Sequence, residues 1–159
     1  MTDTTSATDT LSEAGVRVIA IAALVHRDHV LLAEGHDPVK DEVFYRPLGG
    51  GIHFGERATE AAVREMHEET GFEIEILESL GAVENLFTYR GQAGHEIVFE
   101  FVAEFHGDSS PTELASVEAI ESGNIFLAKW LPLPEVIAGV HRIYPDGLPD
   151  RLAEWVNRL

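Results

Sequence analysis

The chain has 159 residues, enough for one domain with a full hydrophobic core. Its 28 acidic and 11 basic side chains give a formal net charge of −17, which excludes the basic footprint that a nucleic-acid polymer or an anionic membrane surface needs. With 45% hydrophobic residues, 25% charged residues and no cysteine, it reads as a soluble, cytoplasmic protein without disulfides or thiolate metal sites.

Residues 1–14 (MTDTTSATDTLSEA) have neither the basic nor the apolar region of a signal peptide. Their Thr, Ser and Asp content predicts a disordered tail ahead of a single domain over residues 15–159. No apolar run approaches the roughly 20 residues that span a bilayer. Residues 16–26 (VRVIAIAALVH) are β-branched enough for a central strand, although the alanines leave a helix open. Arg27-Asp28-His29 then turns into Val30-Leu31-Leu32-Ala33, which predicts a hairpin. Residues 36–42 (HDPVKDE) read as a loop. A short apolar segment, 44–48, runs into Gly49-Gly50-Gly51, where backbone freedom suits a close turn or the close approach of a ligand.

Residues 58–70 form the clearest helix, with Val63, Met66, Thr59 and Thr70 on one side and Glu65, Glu68 and Glu69 on another. Gly71 is placed to end it in a left-handed conformation. Residues 72–83 alternate as a strand, 85–94 read as a loop carrying Phe87 and Tyr89, and 95–106 (HEIVFEFVAEFH) alternate cleanly. Residues 112–122 suit a short helix or an acidic loop. Residues 126–133 read as a last strand, and Pro134-Glu135 opens a short helix. Leu148, Leu152, Trp155, Val156 and Leu159 recur at helical spacing, so a C-terminal helix is amphipathic. Strands around one central helix, with another at the C-terminus, predict an α/β/α sandwich with a mixed sheet.

Residues 50–72 (GGIHFGERATEAAVREMHEETGF) hold five glutamates and two arginines in 23 positions. Glu65, Glu68 and Glu69 stand at i, i+3 and i+4, within about 100° of one another on a helix. Three like charges on one face repel unless a hard cation neutralises them, with Mg²⁺ the first choice. Arg64 can fix a carboxylate with its forked guanidinium, and the glycines leave a peptide carbonyl open as a further ligand. These parts suit metal-assisted attack of water on phosphorus. Glutamate–arginine clusters are more often solvated helix faces, and the spacing decides against that here.

That spacing resembles the Nudix box, G-x5-E-x7-R-E-U-x-E-E-x-G-U, with U a bulky apolar residue. Gly50, Glu56, Arg64, Glu65, Met66, Glu68, Glu69, Gly71 and Phe72 fill all its fixed positions. The resemblance implies an α/β/α fold whose box is a loop-helix-loop. It also implies hydrolysis of a nucleoside diphosphate linked to another group, using Mg²⁺ or Mn²⁺. By the same resemblance Glu65, Glu68 and Glu69 carry metal and act on water, the Gly49 carbonyl joins them, Arg64 orients a glutamate, and Glu56 supports the loop through a salt bridge. His53 and His67 occupy unconstrained positions and read as surface or packing residues.

The family often adds one carboxylate from outside the box. Glu96 is the first candidate here and Glu100 the second, with Glu118 and Glu121 behind them. Arg46 and Arg90 are candidate phosphate contacts, and Phe87, Tyr89 or Tyr144 a candidate stacking surface for a base. The implied partner is a small nucleotide: a nucleoside triphosphate, an ADP-ribose-like compound or a dinucleoside polyphosphate. Members of the family are often homodimers, a point on which these residues are silent. The alternative, a Nudix-fold module that senses a nucleotide without turnover, is disfavoured because such modules commonly lose box carboxylates. An isoprenoid-diphosphate isomerase on this fold would need a catalytic cysteine, and the chain has none.

Overall fold

The computed structural model describes residues 15–159. The tail predicted at residues 1–14 lies outside the described residues. Along the chain come β1 (Arg17–His26), β2 (His29–Asp37), β3 (Glu42–Arg46), β4 (Leu48–Gly51), α1 (Ala58–Thr70), β5 (Ile74–Tyr89), β6 (Gln92–Phe105), β7 (Val117–Glu121), β8 (Asn124–Pro132), α2 (Leu133–Ile137) and α3 (Leu148–Asn157).

The eight strands form one mixed sheet in the order β5-β6-β1-β2-β8-β7, with β3 added to β2 and β4 to β1. Only β1 and β6 pair in parallel. β1 hydrogen-bonds β4 along residues 19–22 and β2 along residues 24–26. The sheet therefore divides beside β1, and a cavity opens there, lined by Ile19 and Ile21 of β1 and by Ala33 and Glu34 of β2.

One face of the sheet receives α1. Ala61, Ala62 and Met66 pack there against Ala20, Ala22, Leu24, Phe101, Ala103 and Phe105. Ala20 and Ala22 of β1 serve close approach of that helix, which explains why they sit in a strand despite their helical preference. The other face receives α2 and α3, where Val136, Leu148, Leu152 and Trp155 cover Ala23, Val30, Leu32 and Val102. The three layers are the α/β/α sandwich expected. No helix among the described residues is long and apolar enough to cross a membrane.

Two sequence expectations are corrected. Residues 85–94 are no loop: β5 and β6 pair continuously to Tyr89 and Gln92, and only Arg90 and Gly91 turn, both at positive φ. Such a two-residue turn matches the twist of its flanking strands. The glycine that suggested a loop, Gly94, lies under the Phe87 ring, where a Cβ would strike it. Residues 112–122 are no helix either, because residues 117–121 pair with β8 as an edge strand.

Glu100, a candidate extra ligand by its place on the alternating strand, has another role. Its side chain is 1% exposed and accepts two hydrogen bonds from Arg151 of α3, at 2.6 and 2.8 Å. It ties that helix to β6 and is already fully engaged.

Candidate active site

The box begins in β4 and ends at Phe72, one residue past the Gly71 that stops α1. Gly49 and Gly50 stand opposite Ile21 and Ala20 in the strand ladder, so the triple glycine is a strand and not a turn. A Cβ at Gly49 would run into the backbone of Ala20 and Ile21. One at Gly50 would sit 2.6–2.8 Å from the Glu65 carboxyl group. The close approach made possible here is that of a glutamate on α1. Gly50→Ala is expected to displace Glu65 and lower turnover by on the order of tenfold with little change in melting temperature. Steady-state kinetics beside a thermal melt check this.

α1 starts with the Glu60 carboxylate accepting the Arg57 backbone N–H at 3.0 Å. It stops where Gly71, at φ 78°, donates to the His67 carbonyl at 2.8 Å. The three glutamates share one side of α1, as their spacing predicts, but differ in burial. Glu68 is half exposed, whereas Glu65 and Glu69, one turn apart, lie on the side facing the sheet, and Glu69 is 5% exposed. Met66 and Ala62 are buried alongside, so the stripe that docks the helix also carries Glu69 inward.

Arg64 is the hub of the box. Its Nε and Nη2 donate to Glu56 at 2.7 and 2.9 Å, its Nη1 to Glu65 at 3.0 Å and Glu68 at 3.2 Å, and its Nη2 also to the Gly51 carbonyl at 2.9 Å. Glu56 additionally accepts the His53 N–H at 3.0 Å. The Arg64 guanidinium and the His53 N–H hold the Glu56 carboxyl down at about 2. A carboxyl lowered from 4.5 in this way stabilises the fold above the ordinary range and loses that contribution as pH falls from 4.5 toward 2. The stability gap between the wild type and Glu56→Gln should therefore narrow across that window, which urea unfolding at several pH values measures.

Glu69 is the electrostatic anomaly. Burial, then the charges of Glu121 and Glu65, push its carboxyl up to about 9 against the pull of Arg46. Its Oε1 is buried without a hydrogen-bond partner. Glu121, at the end of β7, lies 3.8 Å from Arg46 of β3, and both line the cavity. The carboxylate from outside the box that Glu69 feels is thus Glu121, ranked behind Glu96 on sequence. Only the folding of β7 over α1 reveals it.

The cavity has a volume of about 570 Å³. Glu96 stands in its wall, 3.9 Å from Arg17. Arg46 stands at the box end. At the far end the Phe44 ring meets Tyr89 and Tyr144 edge-on, at 5.9 and 5.4 Å. Arg90 does not line the cavity: its guanidinium lies 5.3 Å from the Tyr89 ring centre and its Nε donates to the Tyr89 hydroxyl at 3.0 Å. Phe44 escaped the sequence reading because it looked like one apolar residue in a short strand.

The donor set suits a hard divalent cation: carboxylates at Glu65, Glu69 and Glu121, one of them buried with an orphaned oxygen. A cation before these groups reverses the balance that raises the Glu69 carboxyl. Among the described residues no three acidic or imidazole groups already converge into a metal cage. Arg64 takes up Glu65 and Glu68.

Fold and box together define the class, a hydrolase domain of the Nudix type. The family model described as NUDIX domain matches residues 16–153, and the chain belongs to the Nudix hydrolase family. It is 30% identical over 110 residues to MutT4 of Mycobacterium tuberculosis (strain CDC 1551 / Oshkosh), a match covering 69% of this chain. The match spans only 40% of the length of that curated relative. Among solved structures, a NUDIX hydrolase from Nitrosomonas europaea superposes with a TM-score of 0.58 at 21% identity, covering 91% of this chain and 90% of its own. An ADP-ribose pyrophosphatase from Streptococcus suis 89-1591 gives 0.53 at 14% identity, covering 91% and 92%. These two show the shared fold.

Proposed function

We propose that the domain hydrolyses a nucleoside diphosphate linked to another group, with Mg²⁺ or Mn²⁺ held by Glu65, Glu68, Glu69, Glu121 and the Gly49 carbonyl. When bound, the cation neutralises diphosphate charge and lowers the pKa of a coordinated water. Arg64 keeps Glu65 and Glu68 oriented, as its hydrogen bonds to both already do. Arg46, at the box end of the cavity, takes phosphate oxygens in place of Glu121. The nucleoside lies along the cavity toward Phe44, Tyr89 and Tyr144. The proton from water goes to the carboxylate of Glu96 or Glu121, and turnover of Glu96→Gln and Glu121→Gln separates the two.

One observation carries this reading: a glutamate buried on the box helix, with an unpartnered oxygen, facing a second carboxylate and an arginine that line a cavity of nucleotide size. The names of relatives, one an ADP-ribose pyrophosphatase, add support. The test is a panel of ATP, ADP-ribose, UDP-glucose and diadenosine tetraphosphate, incubated with Mg²⁺, with Mn²⁺ or with EDTA. At least one compound is cleaved at its phosphoanhydride with metal and none with EDTA. Cleavage of none with either metal contradicts the proposal.

A further inference from the structure

At the end of the cavity away from the box, one buried carboxylate joins two segments 53 residues apart. Asp37, the last residue of β2, is 1% exposed. Its Oδ1 accepts the backbone N–H groups of Val39 at 2.9 Å and Lys40 at 3.3 Å, closing the β2–β3 turn. Its Oδ2 accepts the Arg90 N–H at 3.1 Å, at the tip of the β5–β6 hairpin. Arg90 there has φ 51°, so its N–H is aimed by the turn itself. The tip's other contact with β2 is the Tyr89 hydroxyl, which reaches the His36 carbonyl at 3.5 Å, near the limit of a hydrogen bond.

Burial raises the Asp37 carboxyl, and the N–H groups of Arg90, Lys40 and Val39 with the Lys40 charge outweigh it and hold it below the usual aspartate range. The anion is thus the stable form. The two segments it joins carry facing parts of the cavity wall: Phe44 follows the β2–β3 turn, and Tyr89 precedes Arg90.

We infer that Asp37 is a positioning residue for the substrate, whose hydrogen bond across to Arg90 holds the Tyr89 ring edge-on against Phe44 and so shapes the end of the cavity that receives the nucleoside. The inference rests on the proposed reading of the cavity as a nucleotide site. Asp37 touches no reacting group; it acts through the two rings. A preformed wall spares the ordering of a loose hairpin tip when ligand binds. The signal in the sequence was His36-Asp37-Pro38, an Asp before Pro that commonly accepts backbone N–H groups two and three residues on. The bond to Arg90 has no such signal, because it depends on the hairpin reaching that far.

Asp37→Asn separates the two functions of the carboxylate. Its one amide oxygen can keep the Val39 and Lys40 bonds, while its NH₂ then faces the Arg90 N–H and cannot accept it. Two probes are titrated in Mg²⁺: ADP, which has a nucleoside, and inorganic pyrophosphate, which does not. Relative to the wild type, Asp37→Asn should bind ADP on the order of tenfold more weakly and pyrophosphate equally well. Hydrogen exchange should show the Arg90 amide losing protection and the Val39 amide keeping it. Equal weakening of both probes, or of neither, overturns the inference. A wild type that binds pyrophosphate but gains nothing from the nucleoside of ADP removes the reading of the cavity, and the positioning role with it. An Arg90 amide exchanging unchanged in the variant overturns the cross-link while leaving that reading intact.

Discussion

Glu69→Gln is expected to lose on the order of a thousandfold in kcat/KM for the metal-dependent reaction, the equivalent of the several kcal/mol that a correctly held cation supplies. The amide has the shape of the acid but cannot supply a negative oxygen to the site. The fold should not suffer. With burial and the Glu121 and Glu65 charges raising the carboxyl from 4.5 to about 9, the wild-type side chain costs stability as pH climbs through that range without metal. A neutral amide avoids that cost, so the metal-free variant melts no lower than the wild type at neutral pH. The wild type should also gain thermal stability on adding Mg²⁺, and Glu69→Gln should gain much less. Thermal melts with and without Mg²⁺, beside kinetics, check both halves. A variant that keeps wild-type turnover removes Glu69 from the site.

Arg151→Ala is expected to destabilise the fold by about 3–5 kcal/mol, because it leaves Glu100 buried without the one charged partner it has among the described residues. For a chain of this size that corresponds to a fall of roughly 6–20 °C in melting temperature. The pair anchors α3 on the sheet, where Leu148, Leu152 and Trp155 complete the second core layer. Replacing both members together, Glu100→Leu with Arg151→Met, should recover most of the loss, since no charge then stays unpaired in the interior. Below the melting transition the single variant should still turn over substrate, because neither residue reaches the cavity. A melt within a few degrees of the wild type would show that Glu100 finds water or another donor.

Where function is set by local order along the chain, the sequence was readable. The helix Ala58–Thr70 lies where its apolar spacing and Gly71 place it, and the Arg64–Glu56 bridge lies where the box spacing implies. The sandwich follows from strands flanking amphipathic helices. What escaped depends on contacts between distant segments. The acidic side of α1 is half buried, since Glu69 turns inward beside Met66 and meets Glu121 from β7. Glu100 and Glu96 alternate on the same strand, yet one serves a buried ion pair and the other a cavity wall, a difference made by α3 and Arg17. Residues 85–94 looked like a loop because their glycines are turn formers, while Phe87 over Gly94 keeps the ladder intact. Arg90, a candidate phosphate contact on sequence, gives its backbone N–H to Asp37, a bond with no counterpart in the local sequence.

If the site directs water onto a phosphorus atom in a metal-dependent way, the oxygen of that water ends on phosphate. Turnover of the best substrate of the panel in ¹⁸O-labelled water with Mg²⁺, followed by mass spectrometry of both products, tests it most directly. One labelled oxygen should appear on a phosphate of one product, with the other product unlabelled and no turnover once EDTA is added. Label on a carbon-bound oxygen, or products that form equally in EDTA, would contradict it.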